Sequence, residues 1–271
     1  MRDVWLILAN VALPLAAGLT FLALARYVTH IAPMRTLVTG EMTYRGAAWG
    51  FAFFGAYLAS RPIQILLGPY PIPLVVNEVR EFCMMGLFGP AVFVAMMSLC
   101  FGSDRIPRRL VAAIFGLGML LAFAFVVLNA RAMGGTEEIF RIGNYPAYDG
   151  VWFRNTTPEG QSLMAILFVI RLIDPVFLLM LAGVIVFRAA RHYPAHKRAV
   201  YDNMPKKLYL LSAAVFAFPV SMLITGALVV LFHILNQWWI YYLGALVAGF
   251  LEAASLRLPL RRDVQVSEHS Q

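Results

Sequence analysis

Apolar residues dominate long stretches of this chain, and short polar segments separate the stretches. Each stretch has about 20 residues or more, enough for an α-helix to cross the roughly 30 Å apolar core of a bilayer. None shows the alternating polarity of barrel strands. The pattern therefore predicts an all-α polytopic membrane protein, a bundle of seven transmembrane helices. The predicted spans are 4–25, 46–67, 75–101, 110–130, 161–187, 208–233 and 238–257.

The distribution of Lys and Arg between the spans predicts the orientation of the bundle. Fifteen of these residues lie in segments that alternate spans place on one side, and four lie on the other. Because cytoplasmic loops carry the excess of Lys and Arg, the N-terminus is predicted outside and the C-terminus inside. Residues 1–258 then form one transmembrane domain and 259–271 a short cytoplasmic tail, in a plasma or inner membrane.

Composition agrees with this interpretation. Hydrophobic residues make up 61% of the chain and charged residues 13%, and the mean hydropathy is +0.74, whereas soluble domains are about one quarter charged. The net charge of +8 arises mostly in the basic loops. It is a topology signal that can also attract anionic membrane lipids, so we expect lipid partners and no nucleic acid.

The longest segment between spans, residues 131–160, is predicted to lie outside as a loop. It contains Gly, Pro and several aromatic residues. Loops of this length are often functional. The aromatic side chains are expected to rest at the headgroup level, which is their commoner position at a membrane, or to cap a cavity in the bundle.

The stretch FVIRLIDPVFLLML, residues 168–181, places two charges inside the fifth span. Ionisable groups at this depth are costly and usually face the bundle interior or water. Arg171 lies about 15 Å into the span at 1.5 Å per residue. Asp174 follows at i+3, so the two side chains are predicted to pair on one helix face. Pro175 removes a backbone donor, so we expect a kink beside the pair.

Other spans carry charges at a similar or more outward level. Arg61 falls in the outer half of the second span, and the third span opens with Glu78, Arg80 and Glu81. Together with Arg171 and Asp174 these residues are predicted to form a mixed-charge, ligand-binding cluster. Arginine holds carboxylates and phosphates with two parallel hydrogen bonds, which favours a small anionic or amphipathic ligand. The alternatives are a buried ion-pair network that fixes helix register, or charges at the headgroup level.

Two prolines and one basic segment are the predicted moving and contacting parts. Pro175 and Pro219 interrupt the fifth and sixth spans, so kinks at these positions are expected to allow two helix arrangements. The inner loop between these spans is strongly basic, and its residues are predicted to contact a protein partner. These residues are Arg188, Arg191, Lys197, Arg198, Lys206 and Lys207.

The chain lacks the motifs of common catalytic chemistry. No Gly-rich phosphate loop, serine elbow or metalloprotease motif occurs, and His192 and His196 lie in a basic loop that repels a metal ion. We therefore expect no metal, no cofactor and no catalytic residues. The seven-helix layout with an outside N-terminus resembles rhodopsins and G-protein-coupled receptors in topology alone. The last span has no lysine, so a retinal protein is rejected.

These observations favour a membrane receptor or sensor module. A ligand would enter from the extracytoplasmic side, bias the helix arrangement and signal through a separate cytoplasmic partner. One alternative is a non-catalytic subunit of a larger membrane complex, whose charges pair with another chain. A second is a transporter or ion pathway that uses the Arg171–Asp174 pair. A membrane enzyme is the least favoured class.

Overall fold

A computed structural model describes residues 2–39, 41–68, 71–132, 135–142, 144–150, 158–198, 201–228 and 238–259. Residues 260–271, nearly all of the predicted tail, lie outside these ranges. The elements are α1 Arg2–Ile7, α2 Leu13–Thr39, α3 Glu41–Ala59, α4 Arg61–Leu66, α5 Ile72–Phe82, α6 Gly89–Phe101, α7 Arg108–Ala132, β1 Thr136–Ile142, β2 Tyr145–Gly150, α8 Pro158–Arg171, α9 Leu178–Arg191, α10 Ala195–Arg198, α11 Met204–Gly226 and α12 Trp238–Arg257. The π-helical segments Leu8–Ala12, Cys83–Phe88 and Leu172–Phe177 join α1 to α2, α5 to α6 and α8 to α9.

Six helices in the described part of the chain are long and apolar enough to cross a membrane. They coincide with the first and the third to seventh predicted spans, which confirms the prediction of a helical membrane protein. Their bounds are Val4–His30, Ile72–Phe101, Arg108–Ala132, Ser162–Arg191, Met204–Gly226 and Trp238–Arg257.

The second predicted span differs from the other six. The sequence predicts one helix over 46–67, whereas α3 ends at Ala59 and the short helix α4 begins at Arg61. The break falls at Ser60, and Pro62 occupies the first turn of α4. Proline fits a first turn because the N–H that it lacks would have no intrahelical partner there. Neither helix is among the six, so a seventh crossing stays a prediction.

Six of the described helices form a closed ring in which each packs against the next. The order is α2, α3, α6, α9, α11 and α12, and α12 returns to α2. Glycines bring two of these helices close together: a Cβ on Gly18 of α2 would lie 2.5 Å from the Ala59 nitrogen of α3. Such small residues are typical of close helix packing in membranes. Helix α7 lies outside the ring, against α5, α8 and the Cys83–Phe88 segment.

Aromatic side chains fill the middle of the ring. The Phe54 ring is fully buried and stacks on the Phe88 ring, with centroids 4.2 Å apart. The rings of Phe21 and Phe218 meet Phe54 edge-on, at centroid distances of 4.7 and 4.5 Å. We call these four residues the aromatic core. Tyr57 follows one helical turn later and marks the change from this apolar core to the polar residues of α4.

Segment 131–160 contains a β-hairpin, which corrects the expectation of a plain loop. Strands β1 and β2 pair antiparallel, with an irregularity between Glu138 and Phe140. The hairpin lies against α1, α4 and α5. Phe140 and Ala147 are buried with Leu6 and Ile65 in a small apolar cluster of their own. We call this end of the bundle the hairpin end, and the opposite end, where α3 and α7 begin, the basic end.

Candidate functional site

Buried polar and charged side chains from five helices meet just beneath the hairpin. The predicted site residues Arg61, Glu78, Arg80, Glu81 and Arg171 all lie in this region, which we call the polar cluster. Neutral amides join them: Asn10 from the first span, Gln64 from α4, Asn77 from α5 and Asn129 from α7. Arg61 and Gln64 lie in the short helix α4, which follows the break at Ser60, and Asn77, Glu78, Arg80 and Glu81 lie in α5, which follows α4.

Arg61 connects the hairpin to the helices. Its guanidinium donates to both carboxylate oxygens of Asp149 in β2, at 3.1 Å from Nη1 and 2.5 Å from Nη2. Nη2 also donates to the Asn10 side-chain oxygen at 3.1 Å. The Arg61 side chain is 6% exposed and the Asp149 side chain 20%. The pair therefore lies at the rim of the cluster, where the bundle opens toward the hairpin.

Arg80 is held by neutral groups. Its Nε donates to the Tyr57 carbonyl at 2.9 Å, and its guanidinium lies 4.6 Å from the centre of the Tyr57 ring. Nη1 donates to the Gln64 side-chain oxygen, and Gln64 donates in turn to the Asn77 side-chain oxygen at 3.2 Å. A buried cation held by dipoles and a ring keeps much of its attraction for an anion.

Arg171 faces the interior and pairs across the bundle. Its Nη2 lies 2.6 Å from Oε1 of Glu81 in α5. Its guanidinium also lies 4.8 Å from the centre of the Phe125 ring of α7. The predicted Arg171–Asp174 pair does not form. Asp174 has φ −138° and ψ 122°, the extended conformation that a following proline favours. The i, i+3 geometry assumed for one continuous helix is therefore lost.

Glu78 has a neutral partner in the helix outside the ring. Asn129 of α7 donates to its Oε1. Residues 78 and 81 share a face of α5, as the sequence predicts, so the two carboxyl groups approach from the same side. Glu78 is half-buried and Glu81 is buried, which places Glu78 nearer the rim.

The polar cluster contains most of the unsatisfied polar atoms of the described chain. These buried side-chain atoms lack a hydrogen-bond partner among the residues that the structure describes: Arg61 Nε, Asn77 Nδ2, Arg80 Nη2, Arg171 Nε, Glu78 Oε2, Glu81 Oε2 and Asn129 Oδ1. Folded proteins leave few such groups, because each costs about 1–3 kcal/mol. Donors and acceptors are both present, so the cluster can bind a polar molecule through several hydrogen bonds.

Asp174 lies apart from the polar cluster. It is 3% exposed, and neither of its carboxylate oxygens has a partner in the described residues. Glycines of two neighbouring helices adjoin it: a Cβ on Gly89 would lie 2.5 Å from Oδ1, and one on Gly118 3.3 Å from Oδ2. The structure thus separates Asp174 from the other five predicted ligand-binding residues.

The two predicted hinge prolines have different surroundings. Pro175 lies at the non-helical break between α8 and α9. Pro219 lies inside α11, which continues as one helix from Met204 to Gly226. Nearby, the Ser221 hydroxyl donates to the Phe218 carbonyl at 2.7 Å, and Ser221 fills the space beside Gly244 of α12. The structure thus places a break at the first proline only.

The predicted partner-contacting residues are at the basic end, and one of them is buried. Arg188, Arg191, Lys197, Arg198 and Lys206 are exposed. Lys207 is 9% exposed, and its ammonium donates to the carbonyls of Leu256 and Leu258 at 3.4 and 2.6 Å. A cation there satisfies orphan carbonyls at the C-terminus of α12. Lys207 is therefore better described as a cap of α12 than as a contact surface.

Outside the membrane-spanning helices, the hairpin carries an ion pair of its own. Arg141 Nη2 donates to Glu138 Oε2 at 2.9 Å, and both side chains are at the surface. The hydrogen bond from Arg141 lowers the pKa of Glu138. The same contact raises the pKa of Arg141.

Sequence reasoning centred on charge missed half of the cluster. Asn10, Gln64, Asn77 and Asn129 are amides within or beside predicted spans, and a search for all strongly polar residues in apolar stretches would have found them. Asp149 had no such signal, because its role depends on a contact between residues 88 positions apart.

Comparisons of this chain with protein-family models, with curated proteins and with solved structures gave no match. The geometry of the polar cluster therefore carries the functional inference.

Proposed function

We propose that this protein is a membrane receptor or sensor module whose ligand binds in the polar cluster. The observation that carries the proposal is the pairing of Arg61 with Asp149. The carboxylate that holds Arg61 belongs to a two-stranded hairpin at the rim, and a ligand carboxylate or phosphate can take its place. When a ligand anion replaces Asp149 at Arg61, the hairpin loses this contact with the helices, so ligand binding changes the structure directly.

The unpartnered atoms indicate what kind of ligand fits. Arg61 Nε, Arg80 Nη2 and Arg171 Nε are donors without a partner among the described residues, and together they favour an anionic group. The aromatic core lies directly beyond Tyr57, so an apolar portion of the ligand would lie against rings. We therefore propose a small anionic or amphipathic ligand.

The membrane arrangement proposed here follows the sequence. It has seven crossings, with α3 and α4 as the second, the hairpin end outside and the basic end in the cytoplasm of a plasma or inner membrane. Signalling would pass to a separate cytoplasmic protein through the exposed basic residues Arg188, Arg191, Lys197, Arg198 and Lys206. Their positive charge favours an acidic partner surface.

Thermal unfolding in detergent tests the ligand class. Octanoate and octyl phosphate are the anionic probes, and octyltrimethylammonium is the cationic control of equal chain length. The anionic probes should raise the Tm of the wild type, because a ligand at about 100 times its Kd stabilises by about 2.7 kcal/mol. Arg61→Gln and Arg171→Gln should lose the shift. Arg61→Lys should lose most of the Tm shift, because lysine keeps the positive charge but lacks the parallel N–H donors of a guanidinium.

Arg108→Gln is the matched control, since Arg108 is exposed at the basic end and the variant should keep the full shift. An equal Tm shift with the cationic probe, or an undiminished shift in both cluster variants, would contradict the proposal. The variants Tyr145→Cys in the hairpin and Lys197→Cys at the basic end test the orientation. In sealed vesicles, labelling from each side shows on which side each introduced cysteine is accessible.

A further inference from the structure

Asp174 is a buried carboxyl group that the proposed ligand site does not use. It lies at the break between α8 and α9, roughly in the middle of a 30-residue apolar span, Ser162–Arg191. Its two oxygens have no partner in the described residues. An ionised carboxylate cannot remain at such depth uncompensated, because its desolvation costs far more than burial returns.

No charged side chain of the described neighbouring elements contacts Asp174, and Arg188 and Arg191 of α9 are exposed at the basic end. The Cys83–Phe101 stretch that carries Gly89 has no charged residue, and α7 has none between Arg109 and Arg131. Helix α11, which packs on the Leu172–Phe177 segment, has none after Lys207. Arg171 is the nearest cation along the chain, and its guanidinium is engaged by Glu81. The other charges of α5, Glu78 and Arg80, belong to the polar cluster.

The surroundings of Asp174 offer acceptors and few donors. Pro90 and Pro175 have no N–H, so the backbone carbonyl about one helical turn before each proline lacks its usual donor. The Met85 carbonyl oxygen lies 3.1 Å from the Cβ position of Gly118, and Asp174 Oδ2 lies 3.3 Å from the same point. The N–H of Gly89 donates to the Met84 carbonyl. The Met85 carbonyl oxygen and the Asp174 carboxylate therefore both lie beside Gly118.

Oxygen acceptors at a break in a membrane helix are the means by which discontinuous helices coordinate small cations. Gly89 and Gly118 let their helices pack directly on the carboxylate, because an added Cβ at either position would contact it, so only a very small cation fits beside it. We propose that Asp174 binds one small monovalent cation, a proton or a sodium ion, at the break between α8 and α9. The proposal goes beyond the ligand site and does not depend on it.

The first experiment uses the wild type and dicyclohexylcarbodiimide, an apolar reagent that modifies protonated carboxyl groups within membranes. The extent of labelling of the Asp174 peptide is followed by mass spectrometry from about pH 5 to about pH 9, where a protonated fraction falls about tenfold per pH unit above its transition. Labelling that decreases as pH rises and does not change with sodium chloride assigns the cation as a proton. Labelling that sodium chloride suppresses, and choline chloride does not, assigns it as sodium.

The second experiment measures Tm against pH and against sodium for Asp174→Asn. The asparagine amide is neutral and has nearly the same shape as the carboxyl group. This variant should therefore lose the part of the pH or sodium dependence of Tm that Asp174 contributes in the wild type. Asp104→Asn is the matched control, because Asp104 is exposed and its variant should keep the dependence. A dependence identical in the wild type and Asp174→Asn would overturn the proposal. If Asp174→Asn does not fold, absence of Asp174 labelling near pH 5 without sodium overturns it.

Discussion

The hairpin end and the basic end of the bundle differ in how their Lys and Arg side chains are satisfied. At the basic end the cations are solvated, and the buried Lys207 is satisfied by the last carbonyls of α12. The carboxyl group of Glu252, near the end of α12, is also buried at the basic end. At the hairpin end, three arginines face the interior, and several of their N–H groups and the oxygens facing them have no partner in the described part of the chain. The surplus of such atoms at the hairpin end is the basis of the proposed ligand site.

The largest effect should come from removing one member of the deepest pair. Glu81→Leu leaves Arg171 as a buried cation without its carboxylate, which should cost about 3–5 kcal/mol of unfolding free energy. The double variant Glu81→Leu, Arg171→Met should recover most of that loss, because an apolar replacement of a whole buried pair is often neutral. Denaturant titration in mixed micelles measures both. A double variant as unstable as the single one would show that the pair has further essential partners.

The apolar middle of the bundle should respond less strongly, and only on its inner face. Leu179 is 2% exposed and Leu181 is 37% exposed, on the same helix. Leu179→Ala opens a cavity and should cost about 2–4 kcal/mol. Leu181→Ala should cost much less, because lipid tails are as apolar as leucine and fill the space. Equal losses in the same titration would mean that Leu181 also packs against protein.

Release of the hairpin should have a smaller effect that is confined to one end. Asp149→Ala removes the two hydrogen bonds to Arg61, and bonds to charged groups contribute about 1.5–3 kcal/mol. Hydrogen exchange should rise in β1 and β2 and stay unchanged in α11 and α12. Faster exchange throughout the bundle would show instead that the hairpin is part of the global fold.

The smallest effect concerns the surface pair of the hairpin. The Arg141 contact lowers the folded-state pKa of Glu138, so its contribution is present above the unfolded-state pKa. It is lost as pH falls through the folded-state value. Hydrogen exchange in β1, corrected for intrinsic rates, should therefore increase on acidification, and Glu138→Gln should remove that dependence. An unchanged pH dependence in the variant would assign it to another group.

Much of the fold could be predicted because apolar length depends on local sequence. The bounds of α12 match the predicted seventh span, and α7 extends the fourth by two residues at each end. The hairpin was missed because its strands are short and polar, although Gly143 and Asn144 between them form a known hairpin signal. Pro62 was a signal for the break at Ser60. The length of the apolar stretch nevertheless favoured one continuous helix over 46–67.

The candidate site could be predicted in part, for a physical reason. Depth in the membrane limits where Arg61, Glu81 and Arg171 can point, so their convergence follows from the cost of burying charge. Partner choice does not follow from depth. The predicted Arg171–Asp174 pair assumed an unbroken helix, and the proline after Asp174 excludes that geometry. Asp149 could not be assigned without the hairpin that carries it.

The position of α7 outside the ring has a consequence for how a cation reaches Asp174. Gly118 of α7 covers one side of that carboxylate, while α2, α3, α6, α9, α11 and α12 close on one another without α7. An outward tilt of α7 would uncover Asp174 and keep the six helix contacts of the ring, but it would break contacts of α7 with α5, α6, α8 and the Cys83–Phe88 segment. Motion of this one helix would then give the proposed cation a lateral entrance to the carboxylate, separate from the polar cluster beneath the hairpin.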